Sequence, residues 1–95
     1  MLFSVIFEDN AGQDHLRRQH MPEHLSFLTA RGQQIEGAGP LFQDGSGHGG
    51  MWLVQAADAA EVQALVEADP FWPTGLRKSV TILEWRQVFR HGQKT

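Results

Sequence analysis

The spacing of hydrophobic positions along the chain predicts four β-strands. Residues 1–8 form a nearly continuous run of aliphatic and aromatic residues, which is typical of a strand that is buried on both faces. Three other segments are also predicted as strands from their hydrophobic residues: residues 33–42, 51–56 and 79–89. Segment 43–50, with four glycines, separates the second strand from the third, and its turn-forming composition predicts a hairpin connection.

A first helix is predicted over residues 14–30, between the first two strands. Pro22 lies inside it, and because proline removes a backbone hydrogen bond, we expect a kink or two helical pieces that meet near Met21. The apolar face follows the i, i+3, i+4, i+7 spacing and consists of Met21, His24, Leu25 and Leu28. An unpaired polar group in such a stripe costs about 1–3 kcal/mol, so the imidazole must find a partner or line a cavity. His24 is therefore either a satisfied core residue or a functional one.

A second helix follows Asp58, which is a good N-cap residue, and ends at Pro70. Its apolar stripe consists of Ala59, Val62, Leu65, Val66 and Asp69. The helix dipole disfavours a carboxylate at the carboxyl end of a helix, so the position of Asp69 needs an explanation. Two interpretations stay open: Asp69 shapes the turn before Pro70, or it orients and polarises a histidine, for which His24 is the candidate.

The order strand, helix, strand, strand, helix, strand predicts an α+β protein of the ferredoxin-like βαββαβ type, with a four-stranded antiparallel sheet. We expect a single domain across residues 1–95, in which residues 90–95 form a polar tail. Both helices of this fold usually cover the same face of the sheet, so the other face would expose apolar side chains. They would come from a set such as Leu2, Val5, Phe7, Trp52, Val54, Ile82 and Trp85. A patch of that size predicts a homodimer in which two sheets pack face to face.

Composition and charge narrow the classes of partner. The formal net charge is −3 and the pI is near 5.9, so the chain lacks the basic field that nucleic acid or an anionic membrane surface requires. Its apolar runs are far shorter than the roughly 20 residues of a membrane span, and Met1 is not followed by the basic stretch of a signal peptide. We therefore expect a cytoplasmic protein whose partner is a small molecule. The absence of cysteine removes disulfides, thiolate metal sites and thiol nucleophiles.

Two histidines four residues apart, His20 and His24, have the spacing of a helical zinc site. Pro22 disturbs the helix that would align them. A third ligand is also missing unless His15 or His48 folds into the site. We therefore predict no metal site.

Four further residues are candidate substrate contacts. Arg17 and Arg18 most simply form a solvated face, although either residue can hold an anionic group. Gly39 and Gly37, two positions earlier, leave bare backbone of the kind found where a ligand approaches closely. The alternative is that these glycines only mark a weak end of the second strand. Phe71 belongs to an aromatic loop and is either a core or interface aromatic or a ligand-stacking one.

Several short segments occur in a fixed order along the chain. They are Pro22-x-His24-Leu25, Gly37-Ala38-Gly39-Pro40 and Ala68-Asp69-Pro70-Phe71, followed by Gly75 and Val80. Their order and spacing resemble the YCII-related (YciI-like) family over residues 1–89. The resemblance implies a dimeric αβ barrel with a cavity, in which the family's histidine and aspartate fall on His24 and Asp69. Met21 stands where the family usually has an arginine before the proline, which leaves Arg17 or Arg18 to hold an anionic group.

The resemblance also carries an expectation about function. Relatives include muconolactone isomerase-like and chloromuconolactone dehalogenase-like enzymes, which act on small lactones or halogenated aromatic breakdown products without a cofactor. It therefore implies a cofactor-independent isomerase or lyase in which His24 moves a proton and Asp69 holds the imidazole. The competing hypothesis is a non-catalytic module of the same fold that binds a small molecule.

Overall fold

The fold is built on a four-stranded antiparallel sheet, and the computed structural model describes residues 1–94. In chain order the elements are β1 (Leu2–Asp9), α1 (Asp14–Ala30), β2 (Ile35–Gln43), β3 (Ser46–Gln55), α2 (Ala59–Ala68) and β4 (Arg77–Glu84). The strand order is β2-β3-β1-β4, so each helix connects strands that are separated by one other strand. This is the ferredoxin-like βαββαβ topology, and the predicted fold class is confirmed.

Alternate residues of the central strands face the two helices and form the core. The buried residues that pack together are Phe3, Val5, Phe7, Phe27, Ile35, Trp52, Val54, Ala56, Val62, Leu65 and Val66. Four members of the set predicted for the uncovered face lie in this core, so that part of the prediction is wrong. A strand that is apolar at both odd and even positions does not indicate which set faces the helices, because a shift of one residue exchanges the two faces.

Helix α1 continues through Pro22 without a break, so the predicted alternative of two helical pieces is wrong. Its buried residues are His24 and Phe27, whereas Leu25 is 53% exposed. Most of the stability of a helix in a protein comes from packing of one face, so the hydrogen bond lost at an exposed proline is tolerated. Within residues 1–94, neither helix combines the length and the apolar character that crossing a membrane requires.

The glycine-rich segment forms a tighter connection than the sequence predicts. Strand β2 continues to Gln43 and β3 starts at Ser46, which leaves Asp44 and Gly45 as the two turn residues. Both have positive φ, at 51° and 79°, a combination that a type I′ hairpin turn requires and that the pair Asp-Gly favours. The predicted hairpin is confirmed, but residues 46–50 belong to β3 rather than to the loop.

Gly49 lies where β3 passes close to β1, and a larger residue does not fit there. A Cβ atom on Gly49 would overlap the carbonyl oxygen of Phe7, whereas a Cβ atom on Gly47 would meet nothing within 4 Å. We therefore predict that Gly49→Ala destabilises the fold by about 1–3 kcal/mol or more, because the strands must shift, and that Gly47→Ala does not. Urea unfolding measures both effects, and equal unfolding free energies for the two variants would show that the strands yield without cost.

Strand β4 ends at Glu84 rather than at the predicted residue 89. Trp85 donates its backbone N–H to the carbonyl of Leu2 at 2.9 Å. Because β1 begins at Leu2, β4 has no neighbouring strand beyond this point.

The predicted polar tail over residues 90–95 is partly ordered. It contributes to a small two-stranded sheet formed by β5 (Phe89–Arg90) and β6 (Gln93–Lys94). Thr95, the last residue of that predicted tail, lies outside the described residues.

Candidate active site

His24 and Asp69 are in contact, which confirms that the two buried polar residues meet. Nδ1 of His24 lies 2.8 Å from Oδ1 of Asp69, and the two residues are only 7% and 1% exposed. His24 lies on the buried face of helix α1, and Asp69 comes immediately after the last residue of α2. The two residues are 45 positions apart in the chain. Packing of both helices on one face of the sheet therefore creates this pair.

Asp69 also shapes the turn after α2, as the first interpretation holds, and its contact with His24 is the one that the second interpretation requires. Its backbone is extended, with φ −67° and ψ 133°, and it caps the helix instead of continuing it. Oδ1 accepts a second hydrogen bond from the backbone N–H of Phe71 at 3.1 Å. The Asp69 carbonyl accepts a hydrogen bond from the backbone N–H of Trp72 at 2.8 Å. The turn thus holds the carboxylate in position for His24.

Arg77 is the third member of the cluster, and no pattern in the sequence pointed to it. It is the first residue of β4, its side chain is 6% exposed, and its Nη1 lies 2.8 Å from Oδ2 of Asp69. The two atoms form an ion pair, although neither has an aligned hydrogen-bond partner among residues 1–94. The guanidinium carbon lies 3.8 Å from the ring centre of Phe7, within cation–π distance. Arg77 and His24 therefore contact different oxygens of the same carboxylate.

Burial and the ion pair set the charges of this cluster. Burial raises the pKa of Asp69, but the hydrogen bond with His24, the charge of Arg77 and the backbone N–H of Phe71 outweigh burial and hold that pKa below its ordinary value of 3.8. Burial lowers the pKa of Arg77, and the carboxylate of Asp69 opposes that effect. An arginine nevertheless stays protonated in proteins. At neutral pH, Asp69 is an anion and Arg77 a cation.

The lowered pKa of Asp69 predicts how stability depends on pH. A carboxylate with a lower pKa in the folded state stabilises the fold fully above its unfolded value, and this contribution is lost as the pH falls through the folded value. The free energy of unfolding should therefore decrease below about pH 4, and Asp69→Asn should remove part of that decrease. Urea unfolding between about pH 7 and about pH 2.5 measures both proteins. If the unfolding free energies of wild type and Asp69→Asn fall in parallel below about pH 4, Asp69 does not contribute to the decrease.

The imidazole of His24 packs near two aromatic rings. Phe71 stacks on it with ring centres 4.0 Å apart and planes inclined by 15°. The ring centre of Trp52 lies 6.4 Å from that of the imidazole. An ionised carboxylate only accepts hydrogen bonds, so Nδ1 carries the proton that is donated to Asp69. In the neutral ring, Nε2 then has a free lone pair and is the nitrogen available to a bound molecule.

A cavity of about 100 Å³ lies beside His24. Two arginines, Arg17 and Arg77, line it together with apolar and aromatic side chains that include Met21 and Trp52. Met21, where the family resemblance implies an arginine, contributes an uncharged wall. The positive charge at the cavity therefore comes from Arg17 of α1 and Arg77 of β4.

Two of the four predicted substrate contacts line this cavity. Arg17 and Gly39 line it, and the space beside Gly39 is open. Arg17 also pairs with Asp9 at 2.5 Å. Arg18 is exposed and lines a neighbouring surface depression, which shares Arg17 with the cavity, but it does not line the cavity itself. Phe71 is fully buried behind the imidazole and supports His24 instead of lining the cavity.

His20 and His48 lie apart from the paired His24 and Asp69. Nδ1 of His20 is 3.4 Å from Oε2 of Glu23 on the exposed side of α1. His48 is exposed and lines a different depression, near the start of β3. Across the part of the chain that the structure describes, no three His, Cys, Asp or Glu side chains come together as a metal site requires.

Comparison with known proteins shows what this chain is similar to. The structure of 5-chloro-2-hydroxyhydroquinone dehydrochlorinase (TftG) from Burkholderia phenoliruptrix, solved with 2,5-dihydroxybenzoquinone, is similar to the chain with a TM-score of 0.83 and 26% identity. The match covers 98% of this chain and 100% of that one. No significant match is found among curated proteins. The family model of the YCII-related domain matches residues 1–86, and the chain therefore belongs to the YCII-related family.

Proposed function

We propose that this protein is a cytoplasmic, cofactor-independent enzyme that moves a proton on a small carbonyl, lactone or aromatic-breakdown compound, with His24 as the acid–base group. The observation that carries the proposal is the 2.8 Å hydrogen bond between His24 and the buried Asp69, made by a histidine that also lines a cavity. Because it borders the cavity, the imidazole can contact a bound molecule, which a fully enclosed core histidine cannot do. Asp69 fixes one ring nitrogen, which leaves the other for chemistry.

In the proposed reaction, Nε2 of His24 accepts a proton from an O–H or C–H group of the substrate. The Asp69 carboxylate stabilises the imidazolium and keeps its orientation. Where a halogen lies on a saturated ring carbon conjugated with that group, as in the keto tautomer of a halogenated hydroquinone, the released electron pair forms a double bond and the halide leaves. The proton then passes from Nε2 to water, so the net change is loss of hydrogen halide. Without a leaving group, the same proton returns at another carbon and the product is an isomer.

The similarity to TftG supports the first of these two outcomes. TftG is a dehydrochlorinase and was solved with a hydroxylated quinone. The walls of the cavity in this chain include Phe7 and Trp52, against which a flat ring can pack. Hydroxylated and halogenated single-ring compounds are therefore the first substrates to test, and lactones the second.

A screen of small chlorinated hydroquinones, catechols and lactones, read by mass spectrometry and chloride release, tests the proposed function. We expect the wild type to convert at least one compound and His24→Ala to lose that conversion. The alternative is a non-catalytic module that binds a small molecule. It would replace our proposal if a compound binds equally well to wild type and His24→Ala and is recovered unchanged from both.

We also propose that two copies pair through the sheet face opposite the helices. Leu83 and Trp85 are 55% and 41% exposed, and Leu83 shares a surface depression with Met51 of β3. Exposed apolar surface of this kind is typical of an interface. We predict a dimer by sedimentation at micromolar concentration, a shift toward monomer for Leu83→Glu, and no shift for Ala59→Glu on the exposed surface of α2. A stable wild-type monomer would exclude this pairing.

A further inference from the structure

Proton transfer at His24 does not account for Arg77, whose surroundings indicate a second role. Its side chain is 6% exposed. The guanidinium carbon lies 3.8 Å from the ring centre of Phe7, 5.3 Å from that of Trp52 and 5.4 Å from that of Phe71. Arg77 nevertheless lines the cavity beside His24. A buried cation at a cavity wall is costly unless an anion or hydrogen-bond acceptor compensates it.

The carboxylate of Asp69 compensates this cation only in part. Oδ1 accepts hydrogen bonds from His24 and from the backbone of Phe71, so Oδ2 is the oxygen left for Arg77. Nη1 and Oδ2 are 2.8 Å apart, but neither atom has an aligned hydrogen-bond partner within the described residues 1–94. A guanidinium carries five N–H donors. Arg77 therefore keeps donors for a further acceptor at the cavity.

The charged side chains that line the cavity are cations. Arg17 and Arg77 line it, and no aspartate or glutamate among residues 1–94 does. Arg17 is matched by Asp9 at 2.5 Å, whereas Arg77 shares its carboxylate with His24. The other walls are largely apolar. A small flat molecule with an anionic oxygen satisfies both the walls and the cation.

We infer that Arg77 binds an anionic oxygen of the substrate, a carboxylate or an ionised phenol, and makes the site selective for anions over neutral molecules of the same shape. This inference rests on the proposed function, because it names the class of molecule that reaches His24. The two roles lie on different side chains. His24 exchanges the proton, and Arg77 holds the charge.

Calorimetric binding of benzoate and benzamide to the full chain tests this inference without any turnover. The two molecules have nearly the same shape and differ in charge. We expect the wild type to prefer benzoate, and Arg77→Gln to weaken benzoate binding roughly ten- to hundredfold with little effect on benzamide, as for loss of a charge-assisted hydrogen bond. Arg86→Gln is the matched control. It removes the same charge from a side chain that is 84% exposed and does not line the cavity, and should leave both affinities unchanged.

Arg77→Lys separates binding from folding, because it keeps a positive charge beside Asp69. A lysine cannot reproduce the planar donor pattern, so we expect a reduced preference for benzoate in a folded protein. If Arg77→Gln does not fold, Arg77→Lys decides: a reduced preference supports the inference and an unchanged one overturns it. Equal wild-type affinities, or an equal loss of both ligands in Arg77→Gln, also overturn it, since a residue that only supports Asp69 would weaken both alike. The turnover of His24→Ala tests the proposed function independently of these results.

Discussion

Replacement of Asp69 by alanine should destabilise the protein by about 3–5 kcal/mol, because it leaves a buried guanidinium without its partner. Asp69 is 1% exposed, and the Arg77 side chain beside it is 6% exposed. The change removes the ion pair with Arg77 and the hydrogen bonds from His24 and from the Phe71 backbone at once. Urea unfolding at neutral pH measures the loss.

The Glu84 and Arg86 pair on the surface is a matched control for this prediction. Its closest atoms are also 2.8 Å apart, but the Arg86 side chain is 84% exposed, so Glu84→Ala should change the unfolding free energy little. The double variant Asp69→Ala/Arg77→Met should be less destabilised than Asp69→Ala alone, because it no longer buries an unpaired charge. Similar losses for Asp69→Ala and Glu84→Ala would mean that the buried cluster contributes no more than a surface pair.

Replacement of His24 by alanine should lower the turnover of a substrate found by the screen by about 10²–10⁴-fold, the usual contribution of a positioned acid–base group. The variant should fold, because the ion pair between Asp69 and Arg77 remains. His20→Ala is the control on the same helix, since His20 contacts Glu23 and does not line the cavity. We expect it to keep the wild-type rate. A His24→Ala rate within about twofold of wild type would remove His24 from the chemistry.

The sequence predicted where the helices and strands lie better than it predicted which face of each strand is buried. Helix α1 occupies residues 14–30 as predicted, and Asp58 caps α2 by accepting the backbone N–H of Glu61 at 2.9 Å. Both features depend on local interactions, which a short stretch of sequence encodes. The inward face of β1 depends on which strands and helices surround it, and a strand that is apolar at every position is compatible with either face. The start of β3 was missed because glycines in residues 46–50 are typical of loops as well as of close strand packing.

The candidate site was predictable only where a polar residue interrupts an apolar pattern. His24 and Asp69 each occupy a position that helical periodicity marks as buried, and the need for a partner then pairs them. Arg77 carries no such signal, since it follows a turn and precedes Lys78, which is exposed. Its burial depends on the path of the chain between Asp69 and β4. A single sequence does not encode that path in any periodicity.

Ring-nitrogen NMR of His24, with and without 2,5-dihydroxybenzoquinone, tests the proposed mechanism most directly, and that compound is the ligand with which TftG was solved. At a pH where the ring is neutral, we predict that Nδ1 carries the proton, held by Asp69, and that Nε2 is bare. Binding of the ligand should then move the Nε2 signal strongly and the Nδ1 signal only slightly. A neutral ring with its proton on Nε2, or an Nε2 signal that the bound ligand leaves unchanged, would contradict proton transfer by His24.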